Sequence, residues 1–148
     1  CFAYKGFQII KITTSKNKNF FVVNTHMDAG RRDSDRASRK IQLEHIVSKI
    51  NKKRINDALI IAGDLNLNSK DAEDMKLLEK FKNDLGLTDV FKDIKIDEKW
   101  SILDYILIRQ GKEINLSVVS AGEDESFVTE EGPLSDHPAL FLELLIKE

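Results

Sequence analysis

Four strongly apolar, β-branched runs in this chain each end in, or enclose, an acid, an amide or a histidine. That recurrence restricts the fold more than any other feature. The run 20–24 leads into Thr25, His26 and Asp28, and the run 58–62 into Gly63, Asp64, Leu65 and Asn66. Asp104 is embedded in 102–108, and Ser135, Asp136 and His137 stand immediately before 139–146. A charge inside or at the mouth of a buried strand is expensive unless it is paired or binds a metal. Open α/β sheets gather ligands at one end of their strands. Four such endings on one sheet converge on one pocket lined by carboxylates, imidazoles and an asparagine. That donor set suits a hard cation such as Mg²⁺ and an anionic substrate.

Taken singly, each residue has a plainer explanation. Asp64 and Asn66 beside Gly63 could be turn formers. His26 could be a satisfied strand-end histidine, and Asp104 could pair with Arg109 for structure. Asp136 before His137 and Pro138 could make an Asp turn. The functional alternative rests on all four falling at neighbouring strand ends.

Between these runs the pattern alternates strand and helix. Residues 7–12 and 20–24, separated by a polar stretch, read as a hairpin. Leu43, Ile46, Val47 and Ile50 form one helical stripe, with Asp33 or Ser34 as its cap. Ser69 opens a second helix with Leu77, Leu78, Phe81 and Leu85 on one side and Gly86 as its stop. Strands at 102–108, 116–119 and 139–146 complete an α/β layer structure without internal repeat or linker.

Composition narrows the classes further. With 148 residues the chain is one domain's worth, residues 1–148, and 41% hydrophobic with 32% charged content excludes a disordered or fibrous chain. A single Cys excludes an internal disulfide and a thiolate zinc cluster. No apolar run approaches the roughly 18 residues of a transmembrane helix. A net charge of -2 removes the strong electrostatic case for a dedicated nucleic-acid binder. Gly-rich phosphate loops, His-Glu-x-x-His and Gly-x-Ser-x-Gly are absent. Ser135, Asp136 and His137 are consecutive, so they cannot form a serine-hydrolase relay. Lone Trp100 reads as a loop anchor, and Cys1 as a weak nucleophile.

Asn24-Thr25-His26-Met27-Asp28, Gly63-Asp64-Leu65-Asn66, Leu103-Asp104-Tyr105-Ile106 and Ser135-Asp136-His137-Pro138 together resemble, in order and placement, the successive signatures of the endonuclease/exonuclease/phosphatase superfamily. The resemblance implies the C-terminal half of a four-layer α/β sandwich and Mg²⁺- or Mn²⁺-dependent hydrolysis of a phosphoester. By motif match, Asp64 would orient or deprotonate the attacking water and Asn66 would hold the water or a phosphate oxygen. Asp136, with Asp64, would bind the metal. His137 would contact the phosphate or act as base, Asp104 would fix its tautomer, and His26 would be a second phosphate contact. Nothing here matches the early Asn and metal-binding Glu of the superfamily's first half. The expectation is therefore a domain incomplete at its N-terminal side, with the missing half as a partner.

The stretch Thr25 to Gly30, followed by Asp35, Arg36, Arg39, Gln42 and Leu43, is most similar to the sphingomyelinase-type phosphodiesterases. The implied substrate is a phospholipid such as sphingomyelin, with a DNA or RNA endonuclease and a non-catalytic adaptor as alternatives. Arg31, Arg32, Arg36, Arg39 and Lys40 could contact phosphate or simply form a solvated helix face. Nucleic acid is a possible partner but not the favoured one.

Overall fold

The computed structural model describes residues 4–92, 103–124 and 126–148. Cys1, Trp100, Ile102 and Glu125 lie outside the described residues. Strands β1 (Phe7–Thr13) and β2 (Asn19–His26) form an antiparallel hairpin with Ile10 opposite Val22 and Ile12 opposite Phe20. Helix α1 (Asp33–Lys52) then returns the chain to β3 (Ala58–Asp64), which runs parallel to β2. Helix α2 (Ala72–Leu85) leads to a two-residue strand β4 (Thr88–Asp89) and on to β5 (Asp104–Arg109), antiparallel to β3. The main sheet has the order β1-β2-β3-β5-β4. It is the mixed α/β sheet expected of a partial sandwich.

The last strands form separate sheets. β6 (Asn115–Glu123) pairs with β9 (Leu140–Lys147), and β7 (Val128–Thr129) with β8 (Gly132–Pro133). The expectation of four endings on a single sheet is thus corrected. Three lie on the main sheet and the fourth arrives from the β6–β9 ribbon.

Both helices lie against one face of the main sheet. Leu43, Ile46 and Ile50 of α1 and Leu78, Phe81 and Leu85 of α2 share a core with Val23, Leu59, Ile61 and Leu107. Val47 is only partly buried, and Arg39 takes a buried place on the stripe. The second helix begins at Ala72 rather than Ser69. Asp71 is its cap, because its carboxylate accepts from the Glu73 and Asp74 amides at 2.9 and 3.1 Å. The first helix is capped at Arg32, whose amide donates to the Asp35 carboxylate at 2.9 Å. Gly86 ends α2 at φ 66, the left-handed conformation that glycine adopts without Cβ strain.

The opposite face is covered in part. Phe20, Ala58 and Ile108 pack with Ile114 and Leu116, and Leu142 and Leu144 of β9 lie against them. Ile10 and Ile12 on the same face stay 47% and 37% exposed. No helix among the described residues is long and apolar enough to cross a membrane.

Candidate functional site

Strand register builds the first half of the site. His26 is paired with Asp64 across β2 and β3, and Asp64 with Asp104 across β3 and β5. Directly opposed residues project from the same face, so three polar side chains stand in one row across the sheet. His26 Nε2 lies 3.4 Å from Asp64 Oδ2. The close approach of β2 to β3 depends on Gly63, whose φ is 138 and where a Cβ would sit 2.0 Å from the Thr25 carbonyl oxygen.

The loop after β3 is folded around Asp64. Its Oδ1 accepts the Asn66 amide at 2.8 Å, and its Oδ2 accepts Asn66 Nδ2 at 3.1 Å. Asn66 Nδ2 also donates to the Met27 carbonyl at 3.1 Å. Both partners of Nδ2 are acceptors, so the orientation of this amide is chemically fixed. Asn66 has φ 52, a conformation that Asn tolerates better than most residues. The turn-former and site readings of these residues are therefore compatible, because the Asx turn is what aims the carboxylate. Tyr105 Oη secures the same loop by donating to the Leu67 carbonyl at 2.7 Å. Burial pushes the Tyr105 phenol well above its ordinary value, so it remains a donor.

His137 completes the cluster from the loop before β9. Its Nδ1 lies 2.6 Å from Asp104 Oδ2. Since an ionised carboxylate only accepts, the imidazole hydrogen belongs on Nδ1 and Nε2 is left for other work. Burial pushes the Asp104 carboxyl up, against the opposing effect of the His137 hydrogen bond. Burial also works against the His137 imidazolium, but the Asp104 hydrogen bond and the charges of Asp104, Asp64 and Asp136 outweigh it, and its pKa is raised. Both directions describe a pair that keeps a proton more readily than its separate members. The Asp104–Arg109 pairing is not realised. Arg109 instead donates to the carbonyls of Leu85, Ile55 and Asp57.

One carboxylate oxygen each from Asp64 and Asp104 and a ring nitrogen of His137 lie within 4.8 Å of one another. Two part-exposed carboxylates this close fit a small hard cation, which takes few protein oxygens and fills its shell with water and substrate. Asp136 is exposed and outside this group. The structure therefore brings His26, Asp64, Asn66, Asp104 and His137 together and sets Asp136 at the rim. Asp104 as a donor oxygen was not anticipated; the signal is its register with Asp64, which pairing alone reveals.

The basic run 31–40, for which both a phosphate-contacting patch and a solvated helix face were open, is divided. Arg39 is buried and Arg36 is engaged with Asp71 and Asp74, which leaves neither free for a ligand. Arg31 donates to the Asn66 carbonyl at 3.0 Å. Asp74 was missed from the sequence and Arg39 was read as part of a surface run, although both carry a readable signal of burial. Asp74 precedes Leu78 and Phe81 at helical spacing, and Arg39 precedes Leu43 and Ile46 in the same way, so each is a charge on a buried stripe.

No family model and no curated protein sequence matches the chain. Solved structures do. A β-hairpin deletion mutant of beta toxin from Staphylococcus aureus is 27% identical, with a TM-score of 0.55 over 73% of this chain and 46% of that one. An endonuclease/exonuclease/phosphatase from Beutenbergia cavernae superposes with a TM-score of 0.70 at 14% identity, over 95% of this chain and 39% of that one. The human Nocturnin catalytic domain with bound sulfate gives a TM-score of 0.65 at 22% identity, over 95% and 52%. The chain thus spans about half the length of the structures it matches.

Proposed function

From its fold likeness to structures of the endonuclease/exonuclease/phosphatase type and the motifs at its strand ends, we propose that the chain is a member of that superfamily and carries the water-activating part of a metal-dependent phosphodiesterase. The observation that carries this reading is the 2.6 Å contact between Asp104 and His137 beside the Asp64–Asn66 turn. It combines a fixed imidazole, an oriented carboxylate and a cation-compatible donor group in one cluster.

The residues divide the work as follows. Asp64, its carboxylate aimed by Asn66, orients the attacking water and takes its proton as the new oxygen–phosphorus bond forms. His137 presents Nε2–H to a non-bridging phosphate oxygen, where negative charge builds as the bond to the leaving oxygen breaks. Its raised pKa favours the donor form over a role as base. Asp104 accepts the Nδ1 hydrogen and so stabilises the imidazolium that also carries Nε2–H, and His26 supplies a second contact to the phosphate. Asp64 and Asp104, with Asp136 at the rim, would hold a Mg²⁺ or Mn²⁺, which would supply positive charge to the phosphate oxygens.

The preferred substrate is a phospholipid diester such as sphingomyelin. The likeness to the sphingomyelinase type at residues 25–43 supports it, as does the acidic wall of Glu123 and Asp124 in the cleft that His137 also lines, which disfavours a polyanion. We further propose that a second set of strands covers the outer sheet face, where Ile10 and Ile12 remain exposed, and completes the sandwich and the metal site. The test is turnover of sphingomyelin, a small phosphodiester and plasmid DNA by the complete protein. Sphingomyelin should be cleaved, the rate should vanish with EDTA, and added Mg²⁺ should restore it. Nicking of plasmid alone transfers the reading to a nuclease. No turnover of any substrate points to a non-catalytic member of the fold.

A further inference from the structure

A buried ion pair lies behind the site, and its hydrogen bonds run to both loops that form it. Arg39 of α1 and Asp74 of α2 are each 0% exposed, and Arg39 Nη2 donates to Asp74 Oδ1 at 3.3 Å. Arg39 Nη1 donates to the carbonyls of Gly30 and Asp28, at 2.9 and 3.2 Å, in the loop that follows β2. Asp74 Oδ2 accepts the Asn68 amide at 3.1 Å, in the loop that follows β3. Arg36 Nε adds a bond to Asp74 Oδ1 at 3.2 Å. Arg31 bridges the two sides, with Nη1 3.0 Å from the Asn66 carbonyl and 3.8 Å from Asp74 Oδ2.

We propose that the Asp74–Arg39 pair is a positioning device that locks these two loops together and thereby sets the aim of Asp64 through Asn66. The inference rests on the phosphodiesterase reading for its kinetic consequence. Asn66 is the point of transmission. Its side chain joins Met27 in the first loop to Asp64 in the second, and its carbonyl is held by Arg31. A pair serving stability alone could be replaced by apolar side chains of similar volume, which for buried ion pairs is often neutral. Here the loop groups at Asp28, Gly30 and Asn68 would lose their partners, leaving the bonds through Met27, Asn66 and Arg31 to register one loop against the other. Lysine cannot substitute for Arg39, because one ammonium does not reproduce a planar fork that reaches two carbonyls and a carboxylate.

The experiment uses the complete protein and the double variant Arg39→Met with Asp74→Leu. Two readouts are taken below the melting temperature: the Asn66 side-chain amide signal in nitrogen–proton NMR spectra, and kcat and KM separately. The folded double variant should shift or broaden the Asn66 amide signal and lower kcat by about 10- to 100-fold, the range for groups that orient active residues. KM should change little, and Arg39→Lys should give no rescue. An unchanged Asn66 signal with kcat within about threefold of the parent overturns the proposal. Should the double variant fail to fold, Asp74→Asn, which preserves shape, is judged by the same signals. The NMR readout needs no turnover, so a parent protein without phosphodiesterase activity would sink the functional reading while the Asn66 signal still decides the positioning role.

Discussion

The two sides of the site are held in different ways. On one side, His26, Asp64 and Asp104 occupy paired positions on three adjacent strands, and Asn66 ties Asp64 to the neighbouring loop through three hydrogen bonds. On the other side, His137 sits in a surface loop and reaches the cluster through its bond to Asp104. Its remaining described bond is local, from its own amide to Ser135 Oγ at 3.1 Å. Strand pairing makes the first side a property of the fold itself. The second side is a property of one contact, so site and fold should be separable there.

The largest effect should come from attacking the paired side. Gly63→Ala places a Cβ against the Thr25 carbonyl and demands a φ that alanine avoids. A loss of roughly 3 kcal/mol or more is expected, with site and fold failing together. Chemical denaturation measures it, and an alanine variant of parental stability would show that β2 and β3 are not locked at this point. Next in size is His137→Ala. Its kcat should fall by about 100- to 10,000-fold while the melting temperature moves little, since a part-exposed loop imidazole adds little packing. A fall smaller than about tenfold would remove His137 from the mechanism. Asp104→Asn should cost about 10- to 100-fold by removing the charge that stabilises the His137 imidazolium, and an unchanged rate would make Asp104 structural.

The smallest effect sharpens the comparison from outside the site. Asp89 on the edge strand β4 is a part-buried carboxyl, and burial holds it above its ordinary 3.8. A raised native-state value means that folding takes up protons, so ionised Asp89 lowers stability at neutral pH, and that cost disappears below the ordinary value. Asp89→Asn keeps an acceptor for the Phe91 amide. It should melt higher than the parent at pH 7, with the gap closing below pH 3.8, and should leave kcat unchanged. A lower melting point at pH 7 would contradict the burial effect.

Much of this architecture is legible in the linear chain. The apolar stripes at 43, 46 and 50 and at 78, 81 and 85 announce two helices against a sheet, and Gly86 marks the end of the second. The acids and amides at strand ends single out Asp64, Asn66 and Asp104, because an ionisable group at the edge of an apolar run needs a reason to be there. Cap positions were displaced by a residue or two, since several neighbouring Asp and Ser residues can each serve. The short strands β4, β7 and β8 carry too few residues for any periodicity to show. The ribbon assignment of β9 was out of reach, because nothing local to 140–147 says which strand it will pair with.

The order of residues alone therefore determined the local facts: which segments are helix or strand, which faces are apolar, and which polar groups sit at strand ends. Tertiary structure alone decided that His26, Asp64 and Asp104 share one row. It also decided that His137 comes to Asp104 from another sheet, and that Arg39 meets Asp74 inside rather than facing solvent. The physical reason is range. Helical stripes and turns are set by residues a few positions apart, whereas strand register and ion pairing between elements depend on which distant groups packing brings within reach.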